Sequence, residues 1–182
     1  MSNDDKKTGL SGAINKMQDM VGGAVGMASA STAGAHDSAA FVQNAAMGDM
    51  YEVAAGEIAI RRARSDAVRM FAAMMVDHHT TSMHQMQSAL SSSEVTLNHP
   101  DLQAPTELDN RRTGLLQHLN DAGEDDFDKT YLDQQKLAHR ETATLLRGYA
   151  ENGDNPQLRS TALGALPMVE RHLRALDRLA LH

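Results

Sequence analysis

Residues 65–90 read SDAVRMFAAMMVDHHTTSMHQMQSAL, and this stretch has the spacing of an amphipathic helix. Apolar residues recur every three or four positions, which is the period of one helical face. Ser65 precedes the first turn and belongs to the residue types that favour the N-cap. His79 falls within the apolar stripe, whereas His78 is turned about 100° away from it. The stripe consists of Val68, Phe71, Met75, His79, Ser82, Met86 and Leu90.

Three further segments have the same period and predict three further long helices. The first begins near Asp37 or Ser38, either of which can cap it, and ends at RRAR, residues 61–64. Another begins at EDDFDKTY, residues 124–131, where acidic residues suit the N-terminal end of the helix dipole. The last follows Asn155, a cap residue, and starts with Pro156, a proline suited to a first turn.

The lengths of the connections predict how these helices are arranged. Short loops join the first two helices and the last two, and a long crossover lies between the pairs. The crossover contains PTELDNRRTGLLQHLNDAG, residues 105–123, which predicts one short helix within it. No strand pattern in the sequence competes with the predicted helices. We therefore predict an all-α protein, a ferritin-like up-down-down-up four-helix bundle with a short helix in the crossover.

The N-terminal region differs in composition from the rest of the chain. Residues 1–36 are rich in Gly, Ala, Ser and Met, and glycines interrupt their weak helical period. We predict a flexible or weakly helical tail over residues 1–36 and a bundle over residues 37–182. Such a tail could dock on a partner or on a second copy of the chain, so a homo-oligomer is one alternative.

Composition excludes several classes of protein. The formal net charge of −7 argues against general nucleic-acid binding, and the absence of Cys excludes disulfides and thiol catalysis. No apolar run is long enough to span a membrane, and the N-terminus lacks the apolar stretch of a secretory signal. We therefore expect a cytoplasmic protein, with the periplasm as the alternative. Aromatic residues make up only 3% of the chain, which predicts a core of Ala, Leu, Val and Met.

Each predicted long helix has a polar, metal-capable residue on or beside its apolar stripe. These residues are Glu52, His79, His139 and His172. Because a helix rises about 1.5 Å per residue, counting from the loops and the crossover places all four at similar heights. The sequence therefore predicts that they meet near the middle of the bundle.

Burying these groups without partners would be costly, and two solutions are open. One is a divalent metal ion held by all four residues, with zinc or iron favoured and manganese or copper as alternatives. The other is a metal-free structural or interaction bundle, in which Tyr131, Gln134, Gln135 and Ser82 complete a hydrogen-bonded layer. A third hypothesis places copper among the Met and His side chains of residues 70–86.

We favour a metal-binding protein active in metal handling or stress response, and we leave enzyme status open. Asp77, His78 and Glu170 flank the predicted ligands and either orient the imidazoles or face water. Four other histidines are predicted to be solvated, namely His36, His99, His118 and His182.

Three segments in this order resemble a bacterial family called domain of unknown function 4142. They are MVDHH (75–79), FDKTYLDQQKLAH (127–139) and LPMVERHL (166–173), and the resemblance covers about residues 38–181. It implies a ferritin-like bundle and carries over Glu52, His79, His139 and His172 as recurrent polar positions, but it implies no established activity. Members resemble exported proteins, whereas this sequence lacks a clear signal. The Glu-x-x-His pairs of di-iron proteins are also missing at mid-bundle, so di-iron chemistry is not expected.

Overall fold

The computed structural model describes the backbone of residues 3–179 and the side chains from Ile14 onward, except those of residues 15, 29 and 31. Within that range the chain is all-helical, as predicted, and contains no strand. The helices are α1 (Asn3–Ser31), α2 (Ser38–Arg62), α3 (Asp66–Leu90), α4 (Ser93–Asn98), α5 (Asn110–Asp121), α6 (Phe127–Asn152) and α7 (Pro156–Leu179), with one 3-10 turn at Ala33–Ala35.

Local sequence signals define where α2 and α7 begin. The carboxylate of Asp37 accepts a hydrogen bond from the Ala40 amide at 2.8 Å and so caps α2. Asn155 caps α7 in the same way through the Leu158 amide at 3.0 Å, and Pro156 is the first residue of that helix. The predicted caps are therefore confirmed at both of these helices.

Helices α2 and α3 form one closely packed pair, and α6 and α7 form the other. Three contacts show that α2 and α6 run antiparallel. Ser38, at the start of α2, bonds Tyr149 near the end of α6 at 2.8 Å. Tyr51 bonds Gln134 at 3.0 Å at mid-length, and the Arg64 amide, just after α2, bonds Asp128 at the start of α6 at 3.0 Å.

Two apolar clusters fill the space between the long helices, with polar side chains between them. One cluster includes Phe41, Met86 and Leu145, and the other includes Phe71, Met75 and Leu176. The prediction of an aliphatic core was incomplete, because all six aromatic residues of the chain are buried. Each aromatic side chain buries a large area, and two of them lie in the first cluster and four in the second.

The region predicted to be a flexible or weakly helical tail forms α1. Its last turns pack against α6, and Ala30 is buried in the first apolar cluster. A Cβ on Gly22 would lie 3.3 Å from the Arg111 side chain of α5, and one on Gly23 would lie 3.5 Å from Leu137 of α6, so α1 packs closely against both helices at these positions. The opposite face of α1 exposes apolar side chains, with Met17 68% and Val25 60% accessible.

The crossover between α3 and α6 contains two helices instead of the single one predicted. Helix α5 is the predicted helix, whereas α4 was missed because its six residues are too few to show a period. Ser92 caps α4 through the Val95 amide. Among the helices of residues 3–179, none is long and apolar enough to cross a membrane.

Candidate metal site

Three histidines from three helices converge between the two apolar clusters. His79 of α3, His139 of α6 and His172 of α7 each offer a nitrogen, and these nitrogens all lie within 4.8 Å of one another. The ring centroids are 5.2 to 5.6 Å apart, and no more than 2% of any of the three side chains is accessible. The structure therefore brings together three of the four residues predicted to bind a metal.

Hydrogen bonds orient two of these rings. The Nδ1 atom of His139 lies 2.9 Å from the backbone oxygen of Gln135, which can only accept, so Nδ1 carries the proton and Nε2 faces the cluster. The Nδ1 atom of His79 lies 2.7 Å from the Asp49 carboxylate, which likewise leaves its Nε2 directed inward. A carboxylate that orients an imidazole in this way is typical of metal-binding histidines.

Asp49 contacts the histidine cluster but was not among the residues predicted for this site. It lies one turn before Glu52 on α2, at the i, i+3 spacing that places two residues on one helical face. This spacing was a usable signal, since two acidic residues on a buried face need a partner. The side chain of Asp49 is almost completely buried, and His79 provides that partner.

Glu52 lies beside His139 and close to His79. Its Oε1 atom is 3.4 Å from Nδ1 of His139, but neither carboxylate oxygen has a hydrogen bond of good geometry. Burial raises the pKa of Glu52 to about 7, although the positive charge of His79 and the Gln135 side chain act in the opposite direction. The fourth predicted residue is therefore buried beside His139 without a full set of partners, but it lies on the Nδ1 side of that ring and outside the group of nitrogens within 4.8 Å of one another.

Other buried polar atoms near Glu52 also lack partners. They are Nε2 of His79, the hydroxyl of Tyr131 and both amide atoms of Gln135. Gln134 bonds Tyr51 and Asp19 instead of joining this group. Buried polar atoms are nearly always hydrogen-bonded, so a concentration of unpaired ones marks a place where a water molecule or an ion is expected.

Burial and mutual repulsion separate the proton affinities of the three imidazoles. Burial and the charge of His79 lower the pKa of His139 and bring that of His172 to about 3. Burial also opposes protonation of His79, but its bond to Asp49 and the nearby charges of Glu52 and Asp49 outweigh this and raise its pKa. Two of the three rings are thus neutral at pH 7, which is the form in which an imidazole binds a metal.

The residues that flank the predicted ligands have different surroundings. Asp77 is exposed, and Glu170 pairs with Arg147 at 2.9 Å near the surface. His78 is half-buried instead, and its Nδ1 atom lies 2.8 Å from Nε2 of His172. The two rings stack with their centroids 5.1 Å apart. His78 therefore contacts the cluster from the outside.

The methionines of α3 are dispersed. Met75 and Met86 are buried in different apolar clusters, whereas Met70 is 73% and Met83 37% accessible. Thioether ligands would have to converge on one point to bind copper. The placement of these side chains gives the hypothesis of a Met and His copper site no support.

The remaining histidines were predicted to be solvated. His36 is exposed, as predicted, and His99 is half-buried near Ser38. The prediction was wrong for His118, whose side chain is 13% accessible and whose Nδ1 atom lies 2.5 Å from the Asp19 carboxylate of α1. Helix α1 covers this residue, and the prediction of a flexible or weakly helical tail did not include such a contact. His182 lies outside the described residues.

These features define an all-helical protein with a buried three-histidine cluster that could hold a metal ion. The chain belongs to the family described as domain of unknown function (DUF4142), whose model matches residues 24–179. The match begins within α1, so the last eight residues of that helix belong to the family's domain. Among curated proteins and solved structures, no significant match to the chain was found.

Proposed function

We propose that this protein binds a divalent metal ion through His79, His139 and His172, with Glu52 as the fourth ligand. The observation that carries this proposal is the convergence of three buried imidazole nitrogens within 4.8 Å of one another. The unpaired atoms of Glu52 and His79 support it further. A bound cation would offset the cost of burying these groups.

The ligand set favours particular metals. Imidazole binds zinc and iron well, and three imidazoles with one carboxylate suit either ion, with manganese and copper as alternatives. When bound, such an ion acts as a Lewis acid and lowers the pKa of a coordinated water. Asp49 would hold the His79 ring in place, and the carbonyl of Gln135 would do the same for His139.

We further propose that α2, α3, α6 and α7 form a ferritin-like up-down-down-up bundle. The antiparallel contacts of α2 with α6 and the short loops within each helix pair support this arrangement. Metal handling or a stress response in the cytoplasm is the role we propose for such a site. Self-association through α1 is compatible with it.

Metal content tests the proposal directly. Untagged protein is purified, and its bound metals are measured by elemental mass spectrometry, beside the His79→Ala and His172→Ala variants. We expect near-stoichiometric zinc, iron or manganese in the native protein and its loss from both variants. His84→Ala is the matched control, since His84 is exposed on the same helix as His79. A native protein that neither contains metal nor binds added metal would refute the proposal.

Partner binding through α1 is a second candidate function. The observation in its favour is the exposed apolar stripe formed by Ile14, Met17, Val21 and Val25, which are 50 to 68% accessible. In that case the histidine cluster would be a structural polar layer. A chelator would then leave the melting temperature unchanged, whereas it would lower that of a metal-binding protein.

A further inference from the structure

The three histidines of the cluster are almost completely shielded from solvent. His79, His139 and His172 are each 1 or 2% accessible, so an incoming ion has no direct contact with them. A hydrated divalent cation exchanges its waters one at a time for protein ligands, and a buried site therefore needs an entry path. The residues that connect the cluster with the surface decide how such an ion reaches it.

His172 has a different imidazole neighbour on each side of its ring. Its Nδ1 atom lies 3.1 Å from Nε2 of His139, inside the cluster, and its Nε2 atom lies 2.8 Å from Nδ1 of His78. His78 belongs to α3, as does His79, but it points toward the edge of the bundle and is half-buried. A continuous row of imidazoles thus leads from the partly accessible His78 to the buried His139.

We propose that His78 is the entry ligand of this site, which receives a divalent ion from solvent and passes it to His172. The inference rests on the metal-binding function proposed above. During the transfer the ion exchanges coordinated water for imidazole nitrogen, and its charge does not change. Because Nδ1 of His78 lies 2.8 Å from Nε2 of His172, both nitrogens can coordinate the ion while it passes from one ring to the other.

An entry ligand has a kinetic signature that differs from that of a resident ligand. A group that contacts the ion only in transit lowers the barrier in both directions, so its removal slows association and release by the same factor. The dissociation constant is the rate constant of release divided by that of association, so it does not change. Removal of a resident ligand instead accelerates release and weakens the affinity, typically by about tenfold or more.

The test compares zinc binding to metal-free native protein, His78→Ala and His78→Gln. Association is followed by stopped-flow competition with a fluorescent zinc indicator, and release is followed by transfer to excess chelator. We expect both rates to fall by about tenfold in either variant, with an unchanged dissociation constant. His84→Ala, which alters an exposed histidine of α3, should match the native protein. Circular dichroism identifies a variant that fails to fold, and His78→Gln keeps a side chain of similar size.

Each other outcome overturns the proposal in a distinct way. Unchanged rates would show that the ion enters elsewhere. Faster release with weaker affinity would make His78 a resident ligand. Failure of the native protein to bind zinc or any other divalent ion, seen before any variant is compared, would refute the metal-binding function itself.

Discussion

At the scale of single residues, Glu52 is the buried carboxylate beside the histidine cluster that lacks hydrogen-bond partners. Its carboxylate is 2% accessible and has no complete set of partners, so the ionised form is unfavourable in the folded protein. Asp49 is buried as well but bonds His79 at 2.7 Å. The two acidic residues of α2 therefore have different surroundings, since Asp49 is paired with a ring and Glu52 is the proposed ligand of a cation.

The pKa of Glu52 predicts how stability depends on pH. The pKa is raised from 4.5 to about 7, so the folded protein binds this proton more tightly than the unfolded chain does. That stabilisation is complete below pH 4.5 and is lost as pH rises through about 7. As pH rises from 4.5 to about 8, the free energy of unfolding of the native protein, measured with chelator present, should fall by about 3 kcal/mol relative to that of Glu52→Gln.

Urea denaturation at several pH values measures this difference. Glu57→Gln is the control, because Glu57 is exposed on the same helix. A constant difference between native protein and Glu52→Gln across the pH range would show that Glu52 is already ionised and paired in the folded state.

Asp49 should affect metal affinity without being a ligand. In Asp49→Asn the ring of His79 loses its charged hydrogen-bond acceptor, and its nitrogen becomes a weaker donor to the ion. We expect zinc affinity to fall by about 10- to 100-fold. Competition with a chromophoric chelator measures the change. Asp77→Asn, at an exposed position of α3, should bind zinc as the native protein does, and equal affinities in both variants would contradict the assigned role.

At the scale of elements, α1 is held by close approach and by ion pairs. A Cβ atom on Gly26 would overlap the carboxylate of Glu141. That carboxylate cannot move freely, since Arg111 binds it at 2.7 Å and Arg112 at 3.2 Å. Asp19 adds a contact to His118 of α5. The helix is thus attached along one face, while its apolar opposite face stays exposed.

Gly26→Ala should loosen this attachment. Because the added methyl group must displace a buried, doubly paired carboxylate, we expect a loss of about 1–3 kcal/mol in the free energy of unfolding. Urea denaturation measures it. In the control Gly164→Ala, the new Cβ meets no atom within 4 Å, and the higher helix propensity of Ala should stabilise α7 by up to about 1 kcal/mol. Equal effects at both positions would show that α1 packs loosely.

At the scale of the whole molecule, a metal ion would join α2, α3, α6 and α7 at one point between the two apolar clusters. Zinc at 100 times its dissociation constant should raise the free energy of unfolding by about 2.7 kcal/mol. Thermal melting measures the gain, which should be absent in His139→Ala. Magnesium, which prefers oxygen ligands, should give no gain. An equal gain in His139→Ala would place the bound zinc elsewhere.

Much of this architecture follows from local sequence alone. The long helices were predicted from the helical period, the caps at Asp37 and Asn155 and the first-turn Pro156. Each of these signals depends only on neighbours within a few residues. Because the rise per residue is constant, counting along the helices also predicted that Glu52, His79, His139 and His172 lie at similar heights, and the nitrogens of the three histidines do converge. These calculations need no knowledge of how the helices pack.

Only the tertiary structure decided which side chains meet across helices. The bond of Asp49 to His79, the contact of His78 with His172 and the burial of His118 under α1 all depend on how each helix is rotated about its axis. Rotating a helix by about 100°, the angle between successive residues, gives a side chain a different partner. The period of the sequence does not specify the rotation of a helix that precisely. The period along a helix is a local property, whereas contacts between helices arise from the packing of the whole core.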